Sequence, residues 1–491
     1  MPLKGLTYRL FSTLAALLLA WGGIASCSSD SPQPSDETLR TTGQTYVRLQ
    51  INVANHPDEY ASRATQEDYD SEEALARENN VERLSVIFFK DPEGMGINAT
   101  NASQISVRAF CWDAQPQGNS STSTGYTTYT TGAQLLPENM EFGSYAVLLV
   151  ANADLASLNG KSLEQVRNYL CQSEPFVRNE GIDPNRAECC RNFVMASATN
   201  AHIIIGTEST HKGTLDDAYT TTDGQPVTLE RLAARLDFVP TADAVTDGEG
   251  NLLYYDYHVT NNGAATNSHF RLKYVEPFNV TRESYLFKHL SDVNTTTQAP
   301  ASTTTWLGSE FQSNGSVRYV IDPLTLRKGI ASTPSADYQA FYVGDNRYES
   351  LPQNGALLRQ RYPVRQGIYS NSDDAAHPYY ILDYTAENTL SAAVQNSADV
   401  MTYATGLRFV GTYVPNGNEA DAYERTYDYI IVHRTKLATA QLTQPMALGI
   451  VRNCIYRINI SAVEMTPDNF QISLHIKVLP WQQYRHSEII M

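Results

Sequence analysis

The run "VRLQINV", residues 47–53, carries the clearest strand pattern in the chain. Every second residue in it is apolar and branched, namely Val47, Leu49, Ile51 and Val53. The residues between them are polar. Alternation with a period of two is typical of a β-strand that buries one face. We therefore expect a strand at 45–53 that places these four side chains in a core.

The composition favours β structure in the rest of the chain as well. Of the 491 residues 42% are hydrophobic, and 30 are tyrosine. Together with many Thr, Val and Ile residues, this suits half-buried, pleated surfaces better than helices. Many short apolar runs separated by turn residues predict a mainly all-β protein with two tandem β-sandwich domains and a few short helices. The length fits two units of roughly 200 residues.

Further strands are expected at 84–90, 105–111, 145–151, 202–206, 253–259, 269–275, 317–321, 339–343, 405–414, 426–434 and 453–460. One helix is expected at 162–170, where Ser162 and Gln165 have the spacing of a capping box. The acidic run 243–251 resembles a calcium loop but lacks its bidentate glutamate, so we interpret it as a hairpin turn. Residues 54–80 are expected to form an acidic loop.

Charge and motifs argue against several classes of function. The net charge is −17 and no Lys/Arg-rich block occurs, which disfavours a nucleic-acid partner. The 10 histidines are dispersed, without HExxH spacing or a GxSxG elbow. No glycine-rich phosphate loop is present either. We therefore predict no catalytic residues, no metal and no cofactor, and a protein that is not an enzyme.

The first 27 residues have the features of an export signal. Lys4 and Arg9 precede an apolar stretch at 10–20 that is too short to span a membrane stably. Residues 24–27, "IASC", resemble a bacterial lipobox, in which Cys27 is lipidated and becomes the new N-terminus. The alternative is an ordinary signal peptidase site at the small residues. A polar tether at 28–37 is expected to follow.

The remaining cysteines are Cys111, Cys171, Cys189, Cys190 and Cys454. An oxidising compartment permits a disulfide among the first four, but the sequence does not assign the pairing. Zinc binding is disfavoured because no CxxC pair occurs and two of the cysteines are adjacent.

The end of the chain repeats the spacing of its first strand. In "QISLHIKV", residues 471–478, the alternating apolar residues are Ile472, Leu474, Ile476 and Val478. Pro480 is expected to end this strand because it has no N–H to donate. Apolar residues continue beyond it, namely Trp481, Tyr484, Ile489 and Ile490. A terminus that merely closes a domain does not need such a tail.

Several of these features occur together in one known family. They are the lipobox, "LSVIFF" at 84–89, "YAVLLVANA" at 145–153, "ERLAAR" at 230–235, and the ending "VRNCIYRINI" at 451–460 followed by "VLPW" at 478–481. The combination resembles the Bacteroidales fimbrillins, the subunits of type V pili, and within them the shaft subunits of the short (minor) fimbriae. The turn between the last two strands is more compact than in close relatives that carry a Pro-rich insertion.

The resemblance implies two stacked sandwiches of the fimbrillin, transthyretin-like type and a lipoprotein precursor at the outer membrane. It implies cleavage between Arg63 and Ala64 by an Arg-specific, trypsin-like protease, with Arg77 and Arg83 as rival sites. It further implies polymerisation with identical subunits by strand exchange, into a fimbrium on the cell surface. Accessory anchor and tip proteins, and receptors on host or bacterial surfaces, are the implied partners.

The resulting division of the chain is a signal peptide at 1–27, a propeptide at 28–63, domains at 64–228 and 229–480, and a donor tail at 481–491. Loss of the propeptide would leave the slot of strand 45–53 unsatisfied, and the C-terminal residues are the candidates to fill it. Residues 472–478 are either part of that donor or a permanent core strand. The alternatives for function are a tip or anchor subunit, and a monomeric surface lipoprotein that binds glycans or proteins.

Overall fold

The structure is a computed structural model, and it describes residues 45–53, 72–73, 78, 81–112, 127–136, 140–172, 192–206, 213–249, 252–281, 283–293, 300–310, 318–323, 380–390, 400–433, 446–466 and 469–482. This part of the chain is mainly β-structure, as the composition predicts. None of the helices within these ranges is both long and apolar enough to cross a membrane.

The strands, in chain order, are β1 Tyr46–Val47, β2 Gln50–Val53, β3 Glu72–Glu73, β4 Leu84–Lys90, β5 Arg108–Trp112, β6 Thr127–Thr130, β7 Gln134–Leu135, β8 Gly143–Ala151, β9 Leu170–Gln172, β10 Met195–Ser197, β11 Ala201–Ile205, β12 Val227–Arg231, β13 Ala234–Val239, β14 Asp243–Thr246, β15 Leu252–Asn261, β16 Ala264–Phe278, β17 Glu283–Tyr285, β18 His289–Val293, β19 Pro300–Trp306, β20 Tyr319–Ile321, β21 Tyr380–Thr385, β22 Asn388–Thr389, β23 Gly406–Val414, β24 Tyr423–Ile430, β25 Gly449–Ile450, β26 Cys454–Thr466 and β27 Asn469–Gln482. Within the described residues the α-helices are α1 Leu163–Arg167 and α2 Val400–Tyr403, and short 3-10 turns occupy Gly96–Asn98, Ala156–Leu158, Pro415–Gly417 and Glu419–Asp421.

An eight-stranded sheet is built from the N-terminal half of the chain. Its strand order is β5-β4-β8-β10-β12-β2-β6, and β11 also pairs with β8. The central strands β4 and β8 contribute to two different apolar clusters, one on each face. This double burial explains why both read as continuous apolar runs rather than as alternating ones.

A ten-stranded sheet is built from the C-terminal half, in the order β21-β13-β26-β15-β16-β23-β24. At its margins β14 pairs with β15, and β27 pairs with β26 and with the two-residue strand β3. Smaller sheets join β1 with β7, β9 with β17, β22 with β25, and β18 with β19 and β20. The chain leaves the first large sheet at Arg231, the end of β12, and enters the second at Ala234, the start of β13.

Three large apolar clusters occur among the described residues. One lies within the N-terminal sheet and includes β2, and another lies within the C-terminal sheet. The third contains side chains from both halves, for example Leu148 from β8 together with Tyr384 from β21 and Ile455 from β26. The two sheets therefore share buried apolar surface in addition to having cores of their own.

Most local predictions agree with these elements. Strand 84–90 is found with its predicted bounds, and the capping box of Ser162 and Gln165 is present, although α1 ends already at Arg167. The run at 243–251 is a hairpin: β14 pairs antiparallel with β15. The predicted strand 339–343 lies outside the described residues.

Two predictions are wrong in detail. The loop 54–80 contains the short strand β3, because Glu72 and Glu73 find backbone partners at the end of β27. Pro480 does not end the last strand: it pairs with Cys454, and β27 continues to Gln482. Proline is tolerated in a strand at the margin of a sheet because its missing N–H can face away from the ladder.

Candidate functional site

The N-terminal segment 45–53 lies between two neighbours rather than at an edge. On one side β2 pairs in parallel with β12, with Ile51 opposite Val227. On the other side β2 pairs antiparallel with β6, with Ile51 opposite Tyr129. The predicted single strand is divided into β1 and β2, because Arg48 and Leu49 make individual hydrogen bonds between the two ladders.

Backbone hydrogen bonds hold the first half of the segment on both sides. The N–H groups of Tyr46 and Arg48 donate to the carbonyls of Gly213 and Tyr219, each at 2.8 Å. On the opposite side the Leu49 carbonyl accepts from the Thr131 N–H at 2.8 Å, and the Leu49 N–H donates to Thr131 Oγ1 at 2.9 Å. The segment thus completes the hydrogen bonding of two separate stretches of chain.

The four side chains singled out by alternation are completely buried. Val47, Leu49, Ile51 and Val53 are each 0% exposed. They belong to the same apolar cluster as residues of β4, β8 and β12. Their burial contributes on the order of 6–12 kcal/mol, at about 1.5–3 kcal/mol for each side chain. Removal of this segment would therefore expose both an apolar groove and a row of backbone donors and acceptors.

A buried ion network lies beside the site, and the sequence patterns do not predict it. Glu78, 0% exposed, binds Arg235 with its carboxylate at 3.0 Å and accepts a hydrogen bond from the Tyr384 hydroxyl. Arg235 also binds Asp237 at 2.9 Å, and the carbonyl of Glu78 accepts from Arg231 Nε at 3.1 Å. Residue 78 is thereby fixed to β12, β13 and β21, which belong to both large sheets.

Burial shifts the pKa values of two groups at this network. It lowers the pKa of Arg231 to about 10, although the neighbouring Glu78 acts in the opposite direction. Burial likewise raises the pKa of Tyr129 on β6, against the influence of the Arg231 charge. Arg231 therefore stays protonated at neutral pH, which places a positive charge inside the protein. Removal of a single partner from a buried network of this kind strongly destabilises the folded protein.

The two sequence motifs "ERLAAR" and "VRNCIYRINI" meet at this place. Arg231 Nη1 donates to the Asn453 Oδ1 at 3.2 Å, and the Asn453 N–H donates to the Ala233 carbonyl at 2.8 Å. Arg452 is fully buried and binds Glu387 through two nitrogens, at 2.7 and 2.8 Å. The signal that could have revealed these roles is the presence of arginines within otherwise apolar runs, since a buried arginine requires a fixed acceptor.

The C-terminal residues proposed as a donor pair within their own chain. β27 forms an antiparallel ladder with β26 from Asn469 to Pro480, and Ile472 is buried in the C-terminal cluster. The ladder positions of the other candidates are Leu474, Ile476 and Val478 opposite Ile460, Ile458 and Tyr456. Trp481 pairs with Glu72 of β3. Tyr484, Ile489 and Ile490 lie outside the described residues.

A tyrosine hydroxyl supports the other edge of β27. Tyr429 of β24 donates its O–H to the Ile472 carbonyl and accepts the Ile472 N–H at 3.1 Å. One hydroxyl therefore satisfies both backbone groups of a residue at which no further strand is described. The base of β27 is fixed to the core at this residue.

The residues proposed for lipidation and cleavage, Cys27, Arg63 and Ala64, lie outside the described residues, as does the rival Arg77. Arg83 is described and directly precedes β4. Its carbonyl accepts a hydrogen bond from the Asn152 N–H at 2.8 Å, and the preceding N–H, of Glu82, donates to Asn152 Oδ1 at 2.9 Å. A backbone held in this way does not readily enter a protease cleft, which argues against cleavage at Arg83.

No cluster of three or more metal-ligating side chains occurs within the described ranges. Cys171 and Cys454 are buried free thiols there, and burial raises the pKa of Cys171 to about 11. Of the four cysteines considered for a disulfide, Cys171 is thus a free thiol, and Cys189 and Cys190 fall outside those ranges.

Comparisons with known proteins give structural neighbours only. No family model matches the chain, and no curated protein does. A candidate cell adhesion protein from Parabacteroides distasonis aligns with 14% identity and a TM-score of 0.42, over 90% of this chain and 98% of that one. The fimbrilin FimA from Porphyromonas gingivalis aligns with 14% identity and a TM-score of 0.38, over 90% and 99%. The tip fimbrial protein Mfa3 from Porphyromonas gingivalis gives 14% and 0.35, over 88% and 99%. These three neighbours are described as a cell adhesion protein, a fimbrilin and a tip fimbrial protein.

Proposed function

We propose that this chain is a structural subunit of a type V pilus, made as a precursor and polymerised by strand exchange. Cleavage after Arg63 separates residues 28–63 from the rest of the chain. The segment 45–53 then leaves, and the slot between β6 and β12 takes up a strand from an identical subunit. Because each subunit accepts at one site and donates from another, the contact is heterologous and produces an open filament.

The single observation that carries this proposal is the position of the segment 45–53. It is completely buried at four side chains and hydrogen-bonded on both sides, yet it lies N-terminal to the proposed cleavage site. A precursor segment with no later role would not need so many interactions with the retained chain. An empty slot of this size favours occupation by another strand, since the lost burial is worth on the order of 6–12 kcal/mol.

The proposed donor is the C-terminal segment of a second copy. Residues 472–478 repeat the spacing of the first strand, and the chain continues with apolar Ile489 and Ile490. Ile472 is buried and bound by Tyr429, so the donor is expected to comprise residues beyond that point while the base of β27 remains in its own sheet.

The other parts of the proposal follow the resemblance. The precursor is exported as a lipoprotein with its lipid on Cys27, which holds it at the outer membrane until an Arg-specific, trypsin-like protease acts. The mature subunits form a fimbrium on the cell surface with anchor and tip proteins, and serve adhesion to host or bacterial receptors and biofilm formation.

The test is controlled cleavage of the purified, unlipidated precursor with an Arg-specific protease. We expect a mature form that starts at Ala64 and ladders that resist sodium dodecyl sulfate. The Arg63→Ala variant should stay uncleaved there and monomeric. Clean cleavage after Arg63 without any polymer would contradict the proposal and favour a monomeric binding lipoprotein.

A further inference from the structure

The slot of segment 45–53 lies between β6 and β12, and these two strands are attached differently to the rest of the protein. We use the name ribbon for residues 127–136, which contain β6 and β7. Among the described residues β6 pairs only with β2, and β7 pairs only with β1. The ribbon's Thr131 and Leu136 N–H groups donate to carbonyls of the same segment, those of Leu49 at 2.8 Å and Thr45 at 2.7 Å. Every described backbone ladder of the ribbon therefore runs to the segment that cleavage removes.

The opposite side is anchored independently. β12 pairs with β2 on one edge, but on its other edge it pairs antiparallel with β10, with Leu229 opposite Ser197. The Leu232 N–H just beyond β12 donates to the Val194 carbonyl at 3.0 Å, and the Ala198 N–H donates to the Thr228 carbonyl at 2.8 Å. This wall keeps a ladder when the segment leaves.

Loss of the segment thus affects the ribbon more than β12. The remaining described anchors of the ribbon are side chains. Leu136 is buried in the N-terminal cluster, and Tyr129 packs against that cluster. A strand that has lost its only ladder partner leaves its backbone N–H and C=O groups unpaired. Opening of the ribbon would also expose the groove from the side, so that an entering strand need not be threaded between two fixed neighbours.

We propose that the ribbon is a movable wall of the acceptor site: it is released together with segment 45–53 and closes again over the C-terminal strand of a second copy of this chain. This inference rests on the proposed function and adds a contact surface to it. The incoming strand would be held between β12 and the ribbon, with Thr131 Oγ1 available to an N–H of the donor as it is to Leu49 in the precursor.

The second copy's C-terminal strand is the occupant that the sequence favours. The slot takes four apolar side chains at alternate positions, and beyond the fixed Ile472 the chain presents Leu474, Ile476 and Val478 at the same spacing. The chain also continues past the last described residue, 482, to residue 491, which gives the donor additional length. An edge that offers free backbone groups and an alternating apolar face is the kind of site that strand addition uses.

Photo-crosslinking at two matched positions tests this inference. Thr128 on the ribbon and Thr228 on β12 both pair with Asn52, one from each side. A photoreactive residue at either position should crosslink to the fragment 28–63 when the precursor is irradiated before cleavage. After cleavage and polymerisation, both positions should crosslink to a neighbouring subunit.

A comparison of positions 128 and 228 distinguishes failure of this inference from failure of the proposed function. Crosslinks between subunits from position 228 but none from 128 would show that the ribbon does not hold the donor, and would overturn this inference while the proposed function remains. Absence of such crosslinks from both positions in cleaved protein would contradict the proposed function and this inference with it.

Amide hydrogen exchange supplies the second measurement. In a cleaved monomer that lacks residues 481–491, exchange of the Thr131 and Leu136 amides should rise at least about 100-fold over the precursor. The Ala198 and Leu232 amides, which bond across β12 to the rest of the sheet, serve as the control and should change little. If the Thr131 and Leu136 amides stay protected from exchange, for example because the ribbon packs directly onto β12, the proposal of a movable wall is wrong.

Discussion

Leu49 is the residue at which the N-terminal segment changes from one ladder to the next. Its side chain is 0% exposed, and both its backbone groups bind Thr131. Replacement by alanine leaves a cavity in the N-terminal cluster, so Leu49→Ala should lower the free energy of unfolding of the precursor by about 2–5 kcal/mol. Chemical unfolding of the purified precursor measures this, with Arg48→Ala on the other face of the segment as the matched control.

The same variant distinguishes precursor from filament. Because residue 49 is removed before assembly in our account, filaments from Leu49→Ala precursor should dissociate at the same denaturant concentration as wild-type filaments. Filaments weakened in proportion to the precursor would show that the segment stays in the polymer.

His289 is a residue whose protonation opposes folding. Burial lowers its pKa to about 4, and its Nε2 lies 2.7 Å from the Arg167 carbonyl, to which it donates in the neutral form. The ordinary value is near 6.5, so the unfolded chain takes up a proton first as the pH falls. Stability is therefore fully present above about pH 6.5 and is lost progressively down to pH 4, by about 3 kcal/mol.

The check is urea unfolding at pH 7 and pH 4 of wild-type precursor and of His289→Gln, which keeps an N–H donor without a titrating group. The variant should lose about 3 kcal/mol less stability between the two pH values than wild type. Equal losses would mean that His289 titrates normally in the folded protein.

At this scale alternation predicted which side chains of 47–53 are buried, because a strand has only two faces and one of them was polar. It did not predict the burial of Arg231 and Arg235. Arg235 has one local acceptor, Asp237, but both arginines also bind Glu78, which lies 157 positions from Arg235. A local pattern contains no information on such a partner.

At the scale of the element, β27 is fixed at its base by β24. Tyr429→Phe removes one hydroxyl that makes two hydrogen bonds to the Ile472 backbone, and should lower the free energy of unfolding by about 1–3 kcal/mol. Tyr423→Phe on the same strand is the matched control, since its side chain is 41% exposed. An equal, small effect of both changes would show that the hydroxyl does not support β27.

The tail beyond this base has a separate role in our account. Deletion of residues 481–491 should leave a precursor that folds and is cleaved after Arg63 but forms no ladder on denaturing gels. Unfolding curves and N-terminal sequencing establish that the shortened protein is otherwise normal. Ladders of ordinary length from the deletion would exclude the tail as an essential part of the donor.

Elements were predicted well where one local rule determines them. The capping box of Ser162 and Gln165 sets the start of α1, and continuous apolar residues set β4. Local rules gave a wrong end for β27, because Pro480 is compatible with a strand at a sheet margin. They also could not show that β2 lies between β12 and β6, since strand order depends on contacts between distant parts of the chain.

At the scale of the whole molecule, Glu78 contacts strands of both large sheets, namely β12, β13 and β21. Glu78→Ala would leave Arg235 without one of its two carboxylates in a fully buried site, and should lower the free energy of unfolding by about 3–5 kcal/mol. The exposed neighbour Glu82 provides the control, since Glu82→Ala should cost less than about 0.5 kcal/mol. Similar effects of the two changes would contradict a structural role for the buried network.

The central claim is that the segment 45–53 is absent from the assembled protein and that its slot is occupied by another subunit. Mass spectrometry of washed filaments tests this directly. We expect no peptide from residues 28–63 in the filaments and one equivalent of that fragment in the supernatant. Stoichiometric retention of the fragment in the filaments would contradict the account.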